Sequence, residues 1–353
     1  MSSTYANPSV TAPVEVPPAA RLIQMILGYQ VTQVVGAVAR LDLADRLAAG
    51  PRSSAELAEA TGADLDGLTR LLRAATGVGL ITEDKPDRFV LTPLGAFLAT
   101  DAQPASLHDL AIVTTTPGQW LPCGRLVETV MNGRSSTRAA LGKELWDYYQ
   151  DHPEEDAVFS RSMGNTSAIK AAEVVACYDL TRFSRIIDIG GSQGVLLAGL
   201  LEAAPKARGV LFDRPEVIAT AHPVFTARGL ADRVELVGGD FFTEVPPDGD
   251  LYVLKSVLQN WDDAHASRLL ANCHRAARPG SSLLMIEGVL PTAPEPSPMH
   301  LLNLLMLMQV GGRIRTREQH QTLLEATGYH LQQIIPPQPS AYFAQSLLEV
   351  HRR

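Results

Sequence analysis

Cysteine is scarce: Cys123, Cys177 and Cys273 are the only three in 353 residues. They share no CxxC spacing, which argues against a thiolate zinc site and for a reducing, cytoplasmic setting with cysteines as core residues. Long apolar runs are missing too. No stretch reaches eighteen apolar residues, so no membrane span is expected. Basic charge is also short. With 30 Lys and Arg against 38 Asp and Glu, the formal net charge is -8, a field that repels polyanions and makes nucleic acid a poor partner. The opening residues, "MSSTYANPSVTAPVEVPPAA", lack both a basic n-region and an apolar h-region. They read as a disordered tail, residues 1–20, rather than a signal peptide or anchor.

What is present suggests two domains, since 353 residues exceed one average core and 46% hydrophobic composition can fill two. Residues 21–100 carry apolar side chains at helical spacing, as one or two amphipathic helices ending at Gly50-Pro51. After the N-cap candidate Ser53 come a helix, a turn at Gly62, a second helix and the strand-like "RFVLTPLG". That order predicts a winged-helix-like module. Its acids (Glu56, Glu59, Asp64, Asp66, Glu83, Asp84, Asp87) outweigh its bases (Arg70, Arg73, Lys85, Arg88), so a recognition helix lacks phosphate-neutralising charge. A packing or dimerisation role fits better.

A mostly helical connector, residues 101–182, gives way at Phe183 to five β-rich runs alternating with helical segments: "RIIDIGG", "RGVLFD", "RVELVGGD", "DLYVLKSVL" and "SSLLMIEGVL". Near-continuous apolar strands separated by helices predict an α/β, Rossmann-like domain with a mainly parallel sheet over residues 183–353. The C-terminal "HLQQIIPPQPSAYFAQSLLEV" predicts two further strands around a Pro-rich turn, added antiparallel at the sheet edge.

In such a sheet the ligand sits beyond the carboxyl ends of the strands. The first run ends in "DIGGSQG", where Gly190, Gly191 and Gly194 allow a tight turn, without the GxGxxG dinucleotide fingerprint. The second ends in Asp213, placed to accept from ribose hydroxyls, and the third in "GGDFF", offering Asp240 to an exocyclic amine and Phe241 to a purine face. Each is weak alone, because glycine turns and strand-terminal acids are common structural features. Together they favour a nucleoside, and no Walker lysine is present for a triphosphate.

On "DIGGSQG", "FD" at 212–213, "GDFF", "LKSVLQNWDD", "ARPGSSLLMIEGVLP" and "GGRIRT", the chain from about residue 20 resembles the class I, S-adenosylmethionine-dependent small-molecule O-methyltransferases, the caffeate and acetylserotonin type with its bacterial natural-product branch. The resemblance implies a homodimer built on the N-terminal module. It places Asp188 to Gly194 and Lys255 at the methionine end of S-adenosylmethionine, Asp213 at the ribose, and Asp240 with Phe241 at the adenine. Ser192 stands where the family usually has a third consecutive glycine.

Plant-type members carry His-Asp, the histidine a general base, where this chain has Gln259-Asn260. Of the two glutamates that bracket that histidine, the first matches Glu287 and the second falls at Ile314. Gln259 and Glu287 are therefore the candidates at the reacting centre, with water or Glu287 left to take a proton. Pocket walls are expected from "QWLPCG", "ELWDYY", "FSRSMGN" and the Met-rich helix "MHLLNLLMLMQVGG": Trp120, Trp146, Tyr149, Phe159, Met163, Asn260, His300, Asn303, Met306 and Met308. Such stripes are equally compatible with core packing. Asp262 and Asp263 read as helix-capping acids rather than metal ligands, and no metal is expected. The expected activity is methyl transfer to a small aromatic acceptor by positioning; the alternative is a cofactor-binding homologue without methyl transfer.

Overall fold

The computed structural model describes residues 17–103, 105–293, 295–337 and 344–352, and the chain divides into two units at Leu94/Gly95. In the first unit a helix begins at Pro18, inside the expected tail, because proline at the first helical positions needs no N–H partner there and presets φ. The rest of that tail, residues 1–16, lies outside the described residues. Three helices follow one another where one or two were expected: Pro18–Ile26, Gly28–Arg40 and Leu43–Ala48. The last break falls at Asp42, which takes a left-handed φ of 50°.

Ser53 and Glu56 form a reciprocal capping box that opens the helix Ser54–Thr61, and Gly62 at φ 70° turns the chain toward Leu65–Gly77. A hairpin of β1 (Ile81–Lys85) and β2 (Arg88–Leu91) completes the winged-helix order. Leu22, Ile23, Met25, Ile26 and Tyr29 are exposed. Among the described residues no single helix is long and apolar enough to cross a membrane; Pro18–Ile26 and Gly28–Arg40 reach that length only as a pair bent by 47°.

The second unit holds both the expected connector and the sheet. Residues 101–182 fold as short helices and the 25-residue helix Pro153–Cys177, within the same compact unit as the strands rather than apart from them. The strands are β3 (Arg185–Ile189), β4 (Arg208–Asp213), β5 (Val234–Gly238), β6 (Leu251–Lys255), β7 (Ser282–Leu290), the short β8 (Arg315–Thr316), β9 (Tyr329–Ile335) and β10 (Gln345–Arg352). They lie in the order β5-β4-β3-β6-β7-β10-β9, with β8 beside β7. Pairs from β5 to β7 are parallel, whereas β10 runs antiparallel between β7 and the edge strand β9. Of the expected Pro-rich turn, residues 338–343 lie outside the described residues.

Alternation along the strands fills two cores. Ile186, Leu211, Val253 and Leu284 meet Leu197, Leu200 and Leu201 on one face, while Ile187, Tyr252, Leu254 and Met285 meet Leu269, Leu270 and Cys273 on the other. Burying each such aliphatic side chain contributes about 1.5 to 3 kcal/mol.

Between β3 and β4 the chain must turn sharply over the sheet edge of the crevice. Gly190 and Gly194 adopt φ of 68° and 81°, and a Cβ on Gly194 would stand 2.3 Å from Phe225 Cζ in the core. Gly194→Ala is expected to lower stability by about 2 to 4 kcal/mol, from left-handed strain and overpacking together. Urea unfolding measures it, and an unchanged midpoint would contradict this reading of the turn.

Candidate active site

The sheet order reverses between β3 and β6, so the carboxyl ends of β3, β4, β5 and β6 border one crevice. At the first of these ends Gly190 donates its N–H to Phe212 O at 2.7 Å, closing the loop onto β4. Ser192 follows in left-handed backbone, φ 53°, at the position where the resemblance implies glycine. Its N–H donates to Asp213 Oδ2 at 2.8 Å, and Arg214 N–H donates to Asp213 Oδ1 at 2.8 Å. Burial raises the Asp213 pKa and these two N–H groups lower it.

Asp188 is fully buried, yet neither carboxylate oxygen has a hydrogen-bond partner. Burial raises its pKa and the charge of Lys255 lowers it; for Lys255 burial lowers the pKa and Asp188 raises it. A buried carboxylate without donors is costly unless a ligand supplies them. Asp240 behaves differently. It is exposed, and its oxygens accept from Phe242 N–H at 2.8 Å and the Thr243 hydroxyl at 3.1 Å, so it also caps a turn. Phe241 is half-buried, edge-on to Phe242 at 4.7 Å and Trp261 at 6.1 Å. An orphaned acid near a lysine, a second acid one strand away and an aromatic face beyond it fit an amino-acid end, a diol and a purine in turn.

On the acceptor side Gln259 is 8% exposed; its Nε2 faces Met306 Sδ at 3.6 Å and its Oε1 is buried without a partner. Asn260 turns back, donating from Nδ2 to Ser256 O at 3.2 Å. Glu287, expected at the reacting centre, has its Oε1 engaged by Val257 N–H and Leu258 N–H, each at 3.0 Å. That geometry makes it a holder of the loop. Burial pushes the carboxyl up to about 7, while Leu258 N–H, the charge of Arg315, Val257 N–H and the charge of Lys255 pull it down.

The expected wall residues separate into groups. Trp146, Tyr149 and Phe159 form one aromatic cluster, Phe159 lying 5.8 Å from Trp146 and 5.2 Å from Tyr149. Tyr149 is core rather than wall: it is fully buried, and its hydroxyl accepts from Gln119 Nε2 at 2.8 Å. Met308 is buried as well, whereas Trp120, Met163 and Met306 are half-buried. His300, exposed, and Asn303 line a separate cavity of about 520 Å³ with Leu304, Leu307 and Ile314, outside the aromatic cluster. Asn303 Oδ1 accepts from Ile314 N–H at 2.7 Å, a structural duty. Asp262 caps the helix Asp263–Ala276 through His265 N–H, and Asp263 pairs with Arg313 and Arg315.

Three polar residues escaped the sequence reading. Gln309, buried at the end of the apolar helix Pro298–Val310, donates to Gln119 O at 2.8 Å and leaves its Oε1 without a partner. Arg315 is buried beside Glu287's loop, and only its place in "GGRIRT", next to Ile314 and three residues after a Gly-Gly pair, hinted at an interior position. His320 is buried with both ring nitrogens unpartnered; burial and Arg315's charge push it down to about 4, so it is neutral at pH 7.

A nucleoside crevice at a parallel switch point beside a half-apolar acceptor site defines a transferase of the methyltransferase class. The family model described as the O-methyltransferase domain matches residues 124–330, and that of the O-methyltransferase dimerisation domain matches residues 23–101. The chain belongs to the S-adenosylmethionine-dependent O-methyltransferase family. It is 38% identical over 321 residues to phenazine O-methyltransferase PhzM of Lysobacter antibioticus, covering 91% of this chain and 94% of that one. It is also 38% identical over 322 residues to the 8-amino-8-demethylriboflavin N,N-dimethyltransferase of Streptomyces davaonensis, covering 90% and 92%. Among solved structures, mitomycin 7-O-methyltransferase MmcR superposes with a TM-score of 0.86 at 32% identity over 95% of this chain and 98% of that one. The cofactor is S-adenosylmethionine, and the dimerisation domain supports a homodimer.

Glu287 offers a test by linkage. Its native pKa of about 7 exceeds its ordinary 4.5, so the folded state holds the proton more tightly than the unfolded state. Its contribution is most favourable below about 4.5 and is lost as pH rises through about 7. Relative to Glu287→Gln, the wild type should lose melting temperature across that window and hold a constant gap outside it. A gap that does not change between pH 4.5 and 7 would contradict the buried, loop-holding carboxyl.

Proposed function

We propose that this enzyme methylates a small aromatic natural-product acceptor, oxygen being the first atom to test, and that it does so by positioning without a side-chain base. The observation that carries this is Gln259, whose buried, unpartnered Oε1 stands where plant-type relatives have a histidine. That oxygen accepts a hydrogen bond from an acceptor O–H or N–H and orients its lone pair. It takes no proton, because a neutral amide does not titrate near pH 7. S-adenosylmethionine, when bound, supplies an electrophilic methyl group on a sulfonium. Asp188, Lys255 and the turn through Gly190, Gly191 and Gly194 hold its amino-acid end, Asp213 its ribose, and Asp240 with Phe241 its adenine. Trp120, Trp146, Phe159, Met163 and Met306 provide apolar walls, whereas Asn260, His300 and Asn303, turned to backbone partners or to the separate cavity, are left out of the acceptor contacts.

Magnitudes allow a base-free site. Well-oriented reactants gain about 7 to 11 kcal/mol, whereas a general base contributes about 3 to 5. A phenol of ordinary pKa is ionised to about one part in a thousand at pH 7, at a cost of about 4 kcal/mol, which a more acidic phenol, a carboxylate or a ring nitrogen avoids. The N,N-dimethylating relative makes aryl amines part of the same acceptor class. Within the chain we assign residues 21–100 to dimerisation, 101–182 to the acceptor walls and 183–353 to cofactor binding. Of the cysteines expected in the core only Cys273 is buried; Cys123 and Cys177 are exposed free thiols, which suit a reducing, cytoplasmic location.

The test is incubation with labelled S-adenosylmethionine and a panel of phenols, hydroxyphenazines, aromatic acids and aryl amines. Labelled product with S-adenosylhomocysteine is expected, and Asp213→Ala should weaken cofactor binding in calorimetry by about 1.5 to 3 kcal/mol. Tight cofactor binding without product across the panel would favour a homologue that has lost methyl transfer. Unchanged affinity in folded Asp213→Ala would remove the ribose assignment.

A further inference from the structure

The segment from Val257 to Asp262 carries Gln259 and Asn260, and before the helix that starts at Asp263 its regular structure is the single 3-10 turn Leu258–Asn260. Several of its backbone polar groups are nevertheless held by side chains and backbone from elsewhere in the chain. Arg315, 1% exposed on β8, donates from Nη1 to Leu258 O at 3.1 Å, from Nη2 to Trp261 O at 3.0 Å and from Nε to Asp263 Oδ1 at 2.9 Å. Arg313 N–H donates to Gln259 O at 2.8 Å. From the opposite side Glu287 Oε1 accepts from Val257 and Leu258 N–H. The backbone of Gly312 comes so close that a Cβ there would stand 2.2 Å from Gln259 O.

All three guanidinium nitrogens of Arg315 thus serve this one loop. Stabilising the helix Asp263–Ala276 does not explain the placement, since a cation at a helix N-terminus meets the positive end of the dipole. Surface pairing does not explain it either, since the side chain is interior and only its Asp263 partner, 58% exposed, reaches solvent. The rigid, planar fork of an arginine is what fixes several acceptors at once, and a lysine cannot reproduce it.

We infer that Arg315 is a positioning residue for methyl transfer: through Leu258 O, Trp261 O and Asp263 it locks the loop so that the Gln259 amide meets the acceptor. This rests on the reading that Gln259 contacts the acceptor. Glu287 is the counterpart on the N–H side of the same loop, so the carboxylate retained from the family's catalytic set acts here with a guanidinium to frame Gln259.

The experiment is a double-mutant cycle measured as kcat/KM for 1-hydroxyphenazine, or for whichever phenol of the panel is turned over, together with calorimetric cofactor affinity. Gln259→Ala alone should cost roughly 5- to 30-fold, the scale of one lost hydrogen bond. Arg315→Lys should cost a similar factor, mostly in kcat, with cofactor affinity within about twofold. In the Gln259→Ala background Arg315→Lys should cost under about twofold, because no amide remains to be misplaced. Asp263→Ala, at an exposed partner, should follow the same non-additive pattern more weakly and serves if Arg315→Lys does not fold. Equal losses in both backgrounds would overturn the inference and leave Arg315 merely structural. No loss in Gln259→Ala alone would instead overturn the reading beneath it. Hydrogen exchange of the cofactor-bound protein gives an acceptor-independent readout: amides 257–263 should exchange faster in Arg315→Lys while those of β3 and β4 do not, and unchanged exchange would also overturn the inference.

Discussion

Where β3 and β6 lie side by side with their connections leaving in opposite directions, no helix covers the carboxyl ends of both strands. That geometric constraint opens the crevice on which the rest of the structure depends. Of the ionisable groups at its floor, Asp188 is fully buried between two leucine-rich cores above and below the sheet and Lys255 beside it is half-buried. Burial shifts each against its charged form and their mutual attraction resists the shift. The Asp188 oxygens have no hydrogen bond of normal geometry, and the Leu197 N–H, which lowers the Asp188 pKa, is too poorly placed to satisfy them. A bound cation of the right reach would relieve that cost, the ground on which the amino-acid end of the cofactor is proposed for this floor.

The second constraint lies on the acceptor side. A loop with almost no regular structure must present one side-chain amide in a fixed direction, and its backbone groups must find partners once buried. Glu287 supplies acceptance on one side; Arg315 and the N–H of Arg313 supply donation on the other. With Ile314 buried and apolar where the family's second glutamate falls, no second acid competes for Arg315 there. The family's frame is thus kept while its titrating group is gone.

The sequence carried the strand ends clearly, because "DIGGSQG", Asp213 and "GGDFF" each combine a turn requirement with a chemical group at a predictable place in a parallel sheet. It was less informative where partners are distant in the chain. Asn303 looked like a pocket amide and instead binds Ile314 N–H; Tyr149 looked like wall and is core, tied to Gln119; neither pairing leaves a local signal. Arg315 was passed over because an arginine three residues beyond a Gly-Gly pair reads as surface charge until β8 is found beside β7. The strand "ITEDK" was hidden by its exposed, charged pattern, which the hairpin with β2 tolerates. The start of the first helix at Pro18 depended on a proline effect that a composition-based reading of the tail averages away.

The central claim is that the acceptor, not a side chain, sets the protonation step. The pH profile of kcat/KM across a series of ring-substituted phenols tests it most directly. With Gln259 unable to accept a proton and buried His320 pushed down to about 4 and so too weak a base to hold one near pH 7, the apparent pKa of the profile should move with the pKa of each acceptor. A single pKa common to all acceptors would contradict the account and would require a side-chain base at this site.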